Sequence, residues 1–344
     1  MIRRTAQTTT EQQPMAFITR RRSPGKAATR LIFWSTTPMA GRKARMGLPR
    51  AVIPGSVYLI TRRCAERRFF LRPDPAMTEA FVYCLAAAAR RTGVQVMFSA
   101  VMSNHHHTGV IDTQGRLPEF LEYLHKFTAK CGNALRGRWE AFWSPEQTSC
   151  VRLVGPEDVL DKMIYAITNP VKDGLVDRVH NWPGLNCLGA IESDKPMVAR
   201  RPKHFFREET ALPKFETLAF VRPPGWRHLS HSEWTKLVTQ RVCEVELGAA
   251  YERAKTGARV LGRKTILRQH WNDSPRSSEP RRQLAPRIAA KNKWARVEAL
   301  QRNRAFLIAY QAAKALFLRA EQCCFPAGTY WLRRFVCVTC HPTP

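Results

Sequence analysis

The chain has 344 residues, 44% of them apolar, and a net charge of +29. This length allows about two domains, and the apolar content is enough for a buried core. A charge this large favours a polyanionic partner, because a merely solubilising surface needs only a modest net charge. The ten cysteines are too few and too irregular for a disulfide scaffold. No apolar run approaches the ~18 residues of a membrane span, and no signal peptide is apparent, so we expect a cytoplasmic protein without membrane contact.

The first fifty residues differ from the rest of the chain in composition and in periodicity. They are rich in Lys and Arg, contain one acidic residue, Glu11, and show no sustained period. They predict a basic disordered arm over residues 1–50, or an upstream stretch that is not native sequence. From Pro54 onward, β-rich and amphipathic segments alternate.

Seven elements are predicted between residues 51 and 190 from apolar periodicity and from the Gly and Pro signals at their ends. They are a strand at 56–61, a helix at 76–91, strands at 95–102 and 104–111, a helix at 117–136, a strand at 147–153 and a helix from Pro156 to about Thr168. The last helix is expected to stop there because Pro170 disfavours helical geometry at the residue before it. This order predicts an α+β fold in which helices cover one face of an antiparallel sheet.

The remaining chain is predicted to be mainly helical and basic. Residues 191–230 are rich in proline and charge and are interpreted as a linker. Ser230 and Glu233 form a plausible capping box for a helix that reaches about Lys255. A polar stretch then precedes a long helix at about 295–321, and the tail after Phe325 is expected to close with a strand. Residues 231–344 would thus form a basic, mostly helical C-terminal region.

Three consecutive histidines stand out in the third predicted strand. His105 and His107 point to one face of a strand and His106 to the other. A run of histidines can arise by chance, but an alternating pair beside Asn104 and small residues leaves room for a ligand. Neutral imidazole is the commonest metal ligand, and two histidines leave coordination positions open, as a catalytic metal requires.

A second set of polar residues lies on the last helix of this region. Tyr165 and Asn169 are four residues apart, so they lie on one helical face. A tyrosine can act as a nucleophile towards phosphorus, although most tyrosines only pack. The Asn169 amide could complete a ligand set with the two histidines, and a metal held there would polarise a scissile phosphate.

The two motifs together resemble a known family. The pattern Met102-Ser-Asn-His-His-His107, followed by Tyr165-Ala-Ile-Thr-Asn-Pro-Val-Lys-Asp-Gly-Leu-Val176, resembles the REP-associated tyrosine transposases of the His-hydrophobic-His superfamily. The resemblance spans about residues 54–187. The chain departs from the pattern at His106, where the superfamily has a hydrophobic residue. Relaxases of the superfamily place their tyrosine before the histidines, and its replication initiators favour a lysine where this chain has Thr168, so the transposases are the better match.

The resemblance implies a ferredoxin-like catalytic domain over residues 51–190. It implies that Tyr165 is the nucleophile and that His105, His107 and Asn169 bind Mg²⁺ or Mn²⁺, although the ligand types alone would also suit zinc. The implied substrate is single-stranded DNA with a hairpin, cleaved to a 5′-phosphotyrosine and a free 3′-hydroxyl. Two alternatives stay open: a domesticated or inactive protein that binds hairpin DNA without cutting, and a sheet-based RNA-binding protein. Both a monomer and a homodimer are compatible with the sequence.

DNA contact is expected from basic residues with interleaved aromatics. The candidates are Arg62, Arg63, Arg67, Arg68, Lys126, Lys130, Arg136 and Arg138, with Trp139, Phe142 and Trp143 for base stacking. Each one alone is more often a solvated charge or a core aromatic; together they suit a basic groove. The Cys337-x-x-Cys340 pair is weak evidence for zinc, and small buried thiols are the favoured interpretation.

Overall fold

The computed structural model describes residues 49–277 and 286–342. The predicted arm over residues 1–50 lies outside this range except for Pro49 and Arg50. The strands are β1 (Ser56–Arg63), β2 (Gln95–Val101), β3 (His105–Asp112), β4 (Ser149–Leu153), β5 (Met197–Arg200), β6 (Phe215–Leu218) and β7 (Ile288–Ala289). The helices are α1 (Pro75–Thr92), α2 (Leu117–Leu135), α3 (Pro156–Lys172), α4 (Leu188–Ser193), α5 (His231–Thr256), α6 (Arg263–Arg268), α7 (Lys293–Leu318) and α8 (Trp331–Val336).

The described residues form a five-stranded sheet in the order β2-β3-β1-β4-β7. The first four strands pair antiparallel, and the short β7 joins the edge of β4 in parallel. In the β1–β3 ladder, Thr61 lies opposite His107 and Arg63 lies opposite His105. Opposed residues share a face, so these four side chains belong to one side of the sheet. The α+β class and the antiparallel sheet are as predicted.

Helices cover both faces of this sheet. On one face, α1 and α2 enclose Tyr58 and Ile60 in a first apolar cluster. On the other face, α3, backed by α5, encloses Leu59 and Ile111 in a second cluster. The prediction placed the helices on one face only. It was wrong on this detail because successive residues of β1 are buried on both sides, as in a central strand.

The helix α3, which carries Tyr165 and Asn169, runs past Pro170 to Lys172, rather than ending at Thr168 as predicted. Pro170 has no N–H to give to the preceding turn. The final turn is completed instead by the Asp173 N–H, which donates to the Asn169 carbonyl (2.9 Å), and by the Leu175 N–H, which donates to the Pro170 carbonyl (2.9 Å). Asn169 is therefore held in regular helix.

The segment predicted as a linker, residues 191–230, is part of the folded body. Its strands β5 and β6 form a two-stranded sheet that packs on α1 through Ala199 and Leu218, both buried in the first cluster. Glu216 on β6 is 4% exposed, and both its carboxylate oxygens accept hydrogen bonds from Arg90 Nε at 3.0 and 3.1 Å. The linker interpretation was wrong because the proline-rich composition masked two short strands with alternating burial.

The C-terminal region is largely helical, as predicted. Its tail contains the helix α8 where a strand was expected, because Trp331 and Phe335 stack one turn apart, with ring centroids at 5.4 Å and planes at 10°. Within the described ranges, no helix combines the length and the apolar character needed to cross a membrane.

Candidate active site

The two predicted ligand histidines lie side by side on β3. The ring centroids of His105 and His107 are 4.9 Å apart, with the planes nearly perpendicular. Each ring has an oxygen partner at Nδ1: Thr61 Oγ1 at 2.8 Å from His107, and Asn104 Oδ1 at 2.7 Å from His105. When each Nδ1–H donates to its oxygen, each Nε2 keeps a lone pair that can accept a hydrogen bond or bind a metal. This arrangement is common for metal-binding histidines, whose second nitrogen is oriented by an oxygen acceptor.

Both imidazoles are held in the neutral form that binds metals. Burial lowers the pKa of His107 from 6.5 to about 4, and the Arg63 guanidinium lowers it further in the same direction. Burial, followed by the charge of His107, holds the pKa of His105 well below its ordinary value. At neutral pH neither ring carries a proton on both nitrogens.

The helix α3 brings Asn169 and Tyr165 to the same place. Asn169 Nδ2 lies 3.2 Å from His107 Nε2, and the Tyr165 ring centroid lies 5.4 Å from that of His107. Asn169 is 5% exposed, and its Oδ1 is buried without a hydrogen-bond partner among the described atoms. A buried carbonyl without a partner is costly, and a cation is a partner that an amide oxygen accepts. Two imidazole nitrogens and an amide oxygen are ligand types that suit a divalent ion with open positions. As placed, the Asn169 amide presents its nitrogen to His107, so metal binding would require the amide to turn over and present Oδ1.

Tyr165 is accessible and lies in a positive environment. Its side chain is 39% exposed. The ammonium groups of Lys162 and Lys172, on the same helix, lie 5.8 and 5.4 Å from its ring centroid. A phosphate that approaches Tyr165 would meet these two positive charges.

His106 occupies the opposite face, as the alternation on β3 predicts. It is fully buried beside Phe81 and Trp143. Its Nε2 lies 3.2 Å from His125 Nε2 on α2, and its Nδ1 lies 3.0 Å from Thr108 Oγ1. His106, which stands where the superfamily pattern has a hydrophobic residue, is thus paired with a second buried histidine, His125.

One arginine determines where the protons lie in this cluster. Arg62 Nη1 is 2.9 Å from His125 Nδ1, and a guanidinium can only donate. Burial lowers the pKa of both rings, that of His106 to about 3, so both are neutral. His125 therefore carries its proton at Nε2 and donates to His106 Nε2, and His106 donates from Nδ1 to Thr108. We call Arg62, His125, His106 and Thr108 the buried relay.

The predicted DNA-contact residues differ in their exposure. Arg63, Lys126 and Lys130 are exposed. The other five are less exposed and make these internal contacts: Arg62 in the buried relay, Arg136 in an ion pair with Asp74, Arg138 at 3.9 Å over the Phe70 ring, and Arg67 and Arg68 as donors to the carbonyls of Ser277 and Asn272. The latter two connect the end of β1 to the C-terminal region.

The predicted base-stacking role of Trp143 and Phe142 is wrong. Trp143 is 7% exposed and its indole N–H donates to the His125 carbonyl at 2.8 Å, while Phe142 is 3% exposed. Both are core residues, because the loop after α2 folds back along the end of β1. Trp139 in the same loop is 89% exposed and remains a candidate for stacking.

Sequence reasoning did not assign three residues around the candidate site, Thr61, Lys162 and Lys172, or His125 on the opposite face of the sheet. Thr61 could have been found by aligning the first and third predicted strands as an antiparallel pair, which places it opposite His107. The two lysines lie three residues before and seven after Tyr165, on its helical face. His125 gave no such signal, since its pairing with His106 depends on how α2 packs.

The C-terminal cysteines do not form a metal site in the structure. Within the described ranges, no group of three or more His, Cys, Asp or Glu side chains is placed to hold a metal ion. Cys324 and Cys337 are exposed, and Cys323 and Cys340 are half-buried. The expectation of small buried thiols is therefore wrong for these four residues.

Comparison with known proteins gives a similarity to a solved structure. No protein-family profile matches the chain, and no curated protein matches it. Among solved structures, a REP-associated tyrosine transposase bound to a REP hairpin aligns at 18% identity, over 52% of this chain and 98% of that one, with a TM-score of 0.35. The chain is thus similar, over about half of its length, to a REP-associated tyrosine transposase.

Proposed function

We propose that the protein is a metal-dependent, single-tyrosine DNA transposase that cleaves and rejoins single-stranded, hairpin-associated DNA in the cytoplasm. The observation that carries the proposal is the convergence on His107 of the Tyr165 ring, at 5.4 Å, and the Asn169 carboxamide, at 3.2 Å. These residues come from a strand and a helix about sixty residues apart, so their meeting is a property of the fold.

Tyr165 would supply the nucleophile. Its phenol oxygen attacks the scissile phosphorus, an O–P bond to tyrosine forms, and the bond to the 3′ oxygen breaks. The phenol proton passes to solvent, and the leaving 3′ oxygen takes a proton from solvent. The 5′-phosphotyrosine conserves the energy of the ester, so another 3′-hydroxyl can reverse the reaction on a different strand.

The other residues orient and hold the reacting groups. His105, His107 and Asn169 would hold Mg²⁺ or Mn²⁺, which polarises the phosphate and offsets its growing negative charge. Thr61 and Asn104 fix the imidazole tautomers. Lys162 and Lys172 attract the phosphate to the exposed phenol, and the net charge of +29 favours binding of the surrounding strand.

The test is trapping of the covalent intermediate. End-labelled single strands that carry a hairpin with randomised flanks are incubated with the protein and Mn²⁺, denatured and resolved by mass. We expect a labelled protein band that disappears in Tyr165→Phe and with a chelator. The matched control is Tyr251→Phe on α5, whose side chain is 69% exposed and lies in another helix. Binding without any adduct in the parent protein would refute the enzyme and favour a hairpin-binding protein.

A further inference from the structure

The C-terminal region touches the catalytic helix directly. After α5, the N–H groups of Leu261 and Gly262 donate to the carbonyls of Gly174 and Leu175, both at 2.9 Å, in the loop after α3. Ile266 on α6 is 1% exposed and packs in the same apolar cluster as α3. The start of α6 is thus fixed to the end of the helix that carries Tyr165.

The chain then continues to the other side of the candidate site. Arg72 Nη1 donates to the Gln269 carbonyl at 3.0 Å, and the Phe69 N–H donates to the Asp273 carbonyl at 2.9 Å. Residues 261–273 therefore run from the end of α3 to the loop after β1, the strand that supplies Thr61. Both elements that position the site are attached to this one segment.

This segment is strongly basic on its exposed side. Residues 257–271 contain no Asp or Glu. Four of their cations are exposed: Arg259, Arg263, Lys264 and Arg268. We call these four the α6 cations. Asp173 and Asp177 follow α3 in the chain, and the exposed Asp273 ends the segment, so the α6 cations with Lys162 and Lys172 give six positive charges against three negative ones among these residues.

We propose that the α6 cations form a binding surface for single-stranded DNA that continues from Tyr165 along the strand. This deepens the proposed function, since the strand is taken to be the one that Tyr165 cleaves. Tyr165 and Gly174 are nine residues apart, roughly 14 Å at the helical rise. The surface thus begins a few nucleotides from the scissile phosphate. Lys172, whose ammonium reaches the Tyr165 ring, lies between the two.

The test measures the salt dependence of binding. Tyr165→Phe, which lacks the hydroxyl proposed to attack the phosphate, serves as the parent, and fluorescence anisotropy with a labelled hairpin-bearing single strand gives Kd from about 50 to 300 mM salt. Adding Arg263→Gln and Lys264→Gln removes two phosphate contacts. Each contact contributes about 0.7 to the slope of log K against log salt, so the slope should fall by about 1.4, with roughly tenfold or greater loss of affinity at about 100 mM.

The matched control removes the same charge elsewhere. Arg296→Gln with Arg304→Gln changes two exposed arginines of α7, which packs against β7 at the far edge of the sheet. This pair should leave the slope within about 0.3 of the parent. Equal effects of the two pairs would overturn the proposal, because they would show a bulk charge effect. Tighter binding of the same sequence as RNA would also overturn it. If no covalent adduct forms but the two pairs of substitutions still differ in their salt slopes, the enzymatic function is refuted and the proposed DNA-binding surface is retained.

Discussion

The buried relay predicts a specific non-additive effect on stability. His106→Leu leaves the His125 Nε2–H without its acceptor, and His125→Leu leaves the His106 Nε2 lone pair without its donor. Each residue is at most 3% exposed, so water cannot replace the lost partner. Leaving one buried polar group unpaired costs about 1–3 kcal/mol. For a folded body of this size, that lowers Tm by roughly 2–6 °C.

The double variant should be less destabilised than the sum of the two single variants. Removing donor and acceptor together leaves neither group unpaired between the two positions, and leucine suits the apolar contacts with Phe81 and Trp143. The loss that remains is the acceptor of Arg62. We expect a coupling free energy of about 1–2 kcal/mol between the two substitutions.

Urea unfolding at about pH 7.5, monitored by tryptophan fluorescence, measures all four members of the cycle. His228, which is exposed, provides the matched control: His228→Leu combined with His125→Leu should be additive within about 0.5 kcal/mol. Strict additivity of the His106 and His125 substitutions would refute the relay, because it would mean that the two rings do not depend on each other.

Two further predictions concern the histidines of β3. Thr61→Val removes the oxygen at His107 Nδ1, so Mn²⁺ affinity measured by electron paramagnetic resonance should fall about 10–100-fold. The control is Thr113→Val, which removes a hydroxyl that donates to the Gly93 carbonyl at 2.6 Å. It should leave the Mn²⁺ affinity unchanged. The pKa of His106 is about 3 in the folded protein against 6.5 ordinarily, so the unfolded state binds more protons between these values. The free energy of unfolding should therefore fall as pH is lowered from about 6.5 towards 5 and stay level from about 7 to 8, and the double leucine variant should show a shallower fall in urea titrations. A slope that is the same in both proteins would contradict the assignment to the relay.

Much of the candidate site could be predicted from the sequence because its signals are local. Alternation placed His105 and His107 on one face of β3 and His106 on the other, and the four-residue spacing placed Tyr165 and Asn169 on one face of α3. The structure brings these two faces into contact. Their roles in metal binding and cleavage stay predictions, to be decided by the adduct and Mn²⁺ experiments.

The errors come from interactions between residues distant in sequence. Tryptophan is a residue type that often stacks on bases, but the burial of Trp143 depends on how the loop after α2 returns along β1. Arg62 has the sequence context of a surface cation, and only packing turns it towards His125. The strands β5 and β6 are four residues each, too short for a clear alternation among prolines, and they are stabilised by α1 rather than by their own sequence.

The packing of the C-terminal region sets the smallest piece of this chain that can fold. The apolar cluster under α3 includes Trp234, Val238 and Val242 from α5 and Ile266 from α6, and the cluster under α1 includes Leu218 from β6. A fragment that stops at residue 190, where the sequence suggests a domain boundary, would expose the surfaces of α1 and α3 that these side chains cover. Uncovered apolar surfaces of that kind lead to aggregation. We therefore expect the folding unit to extend at least to Ile266, and a transfer of this candidate site into another protein to require residues 49–266 as one piece.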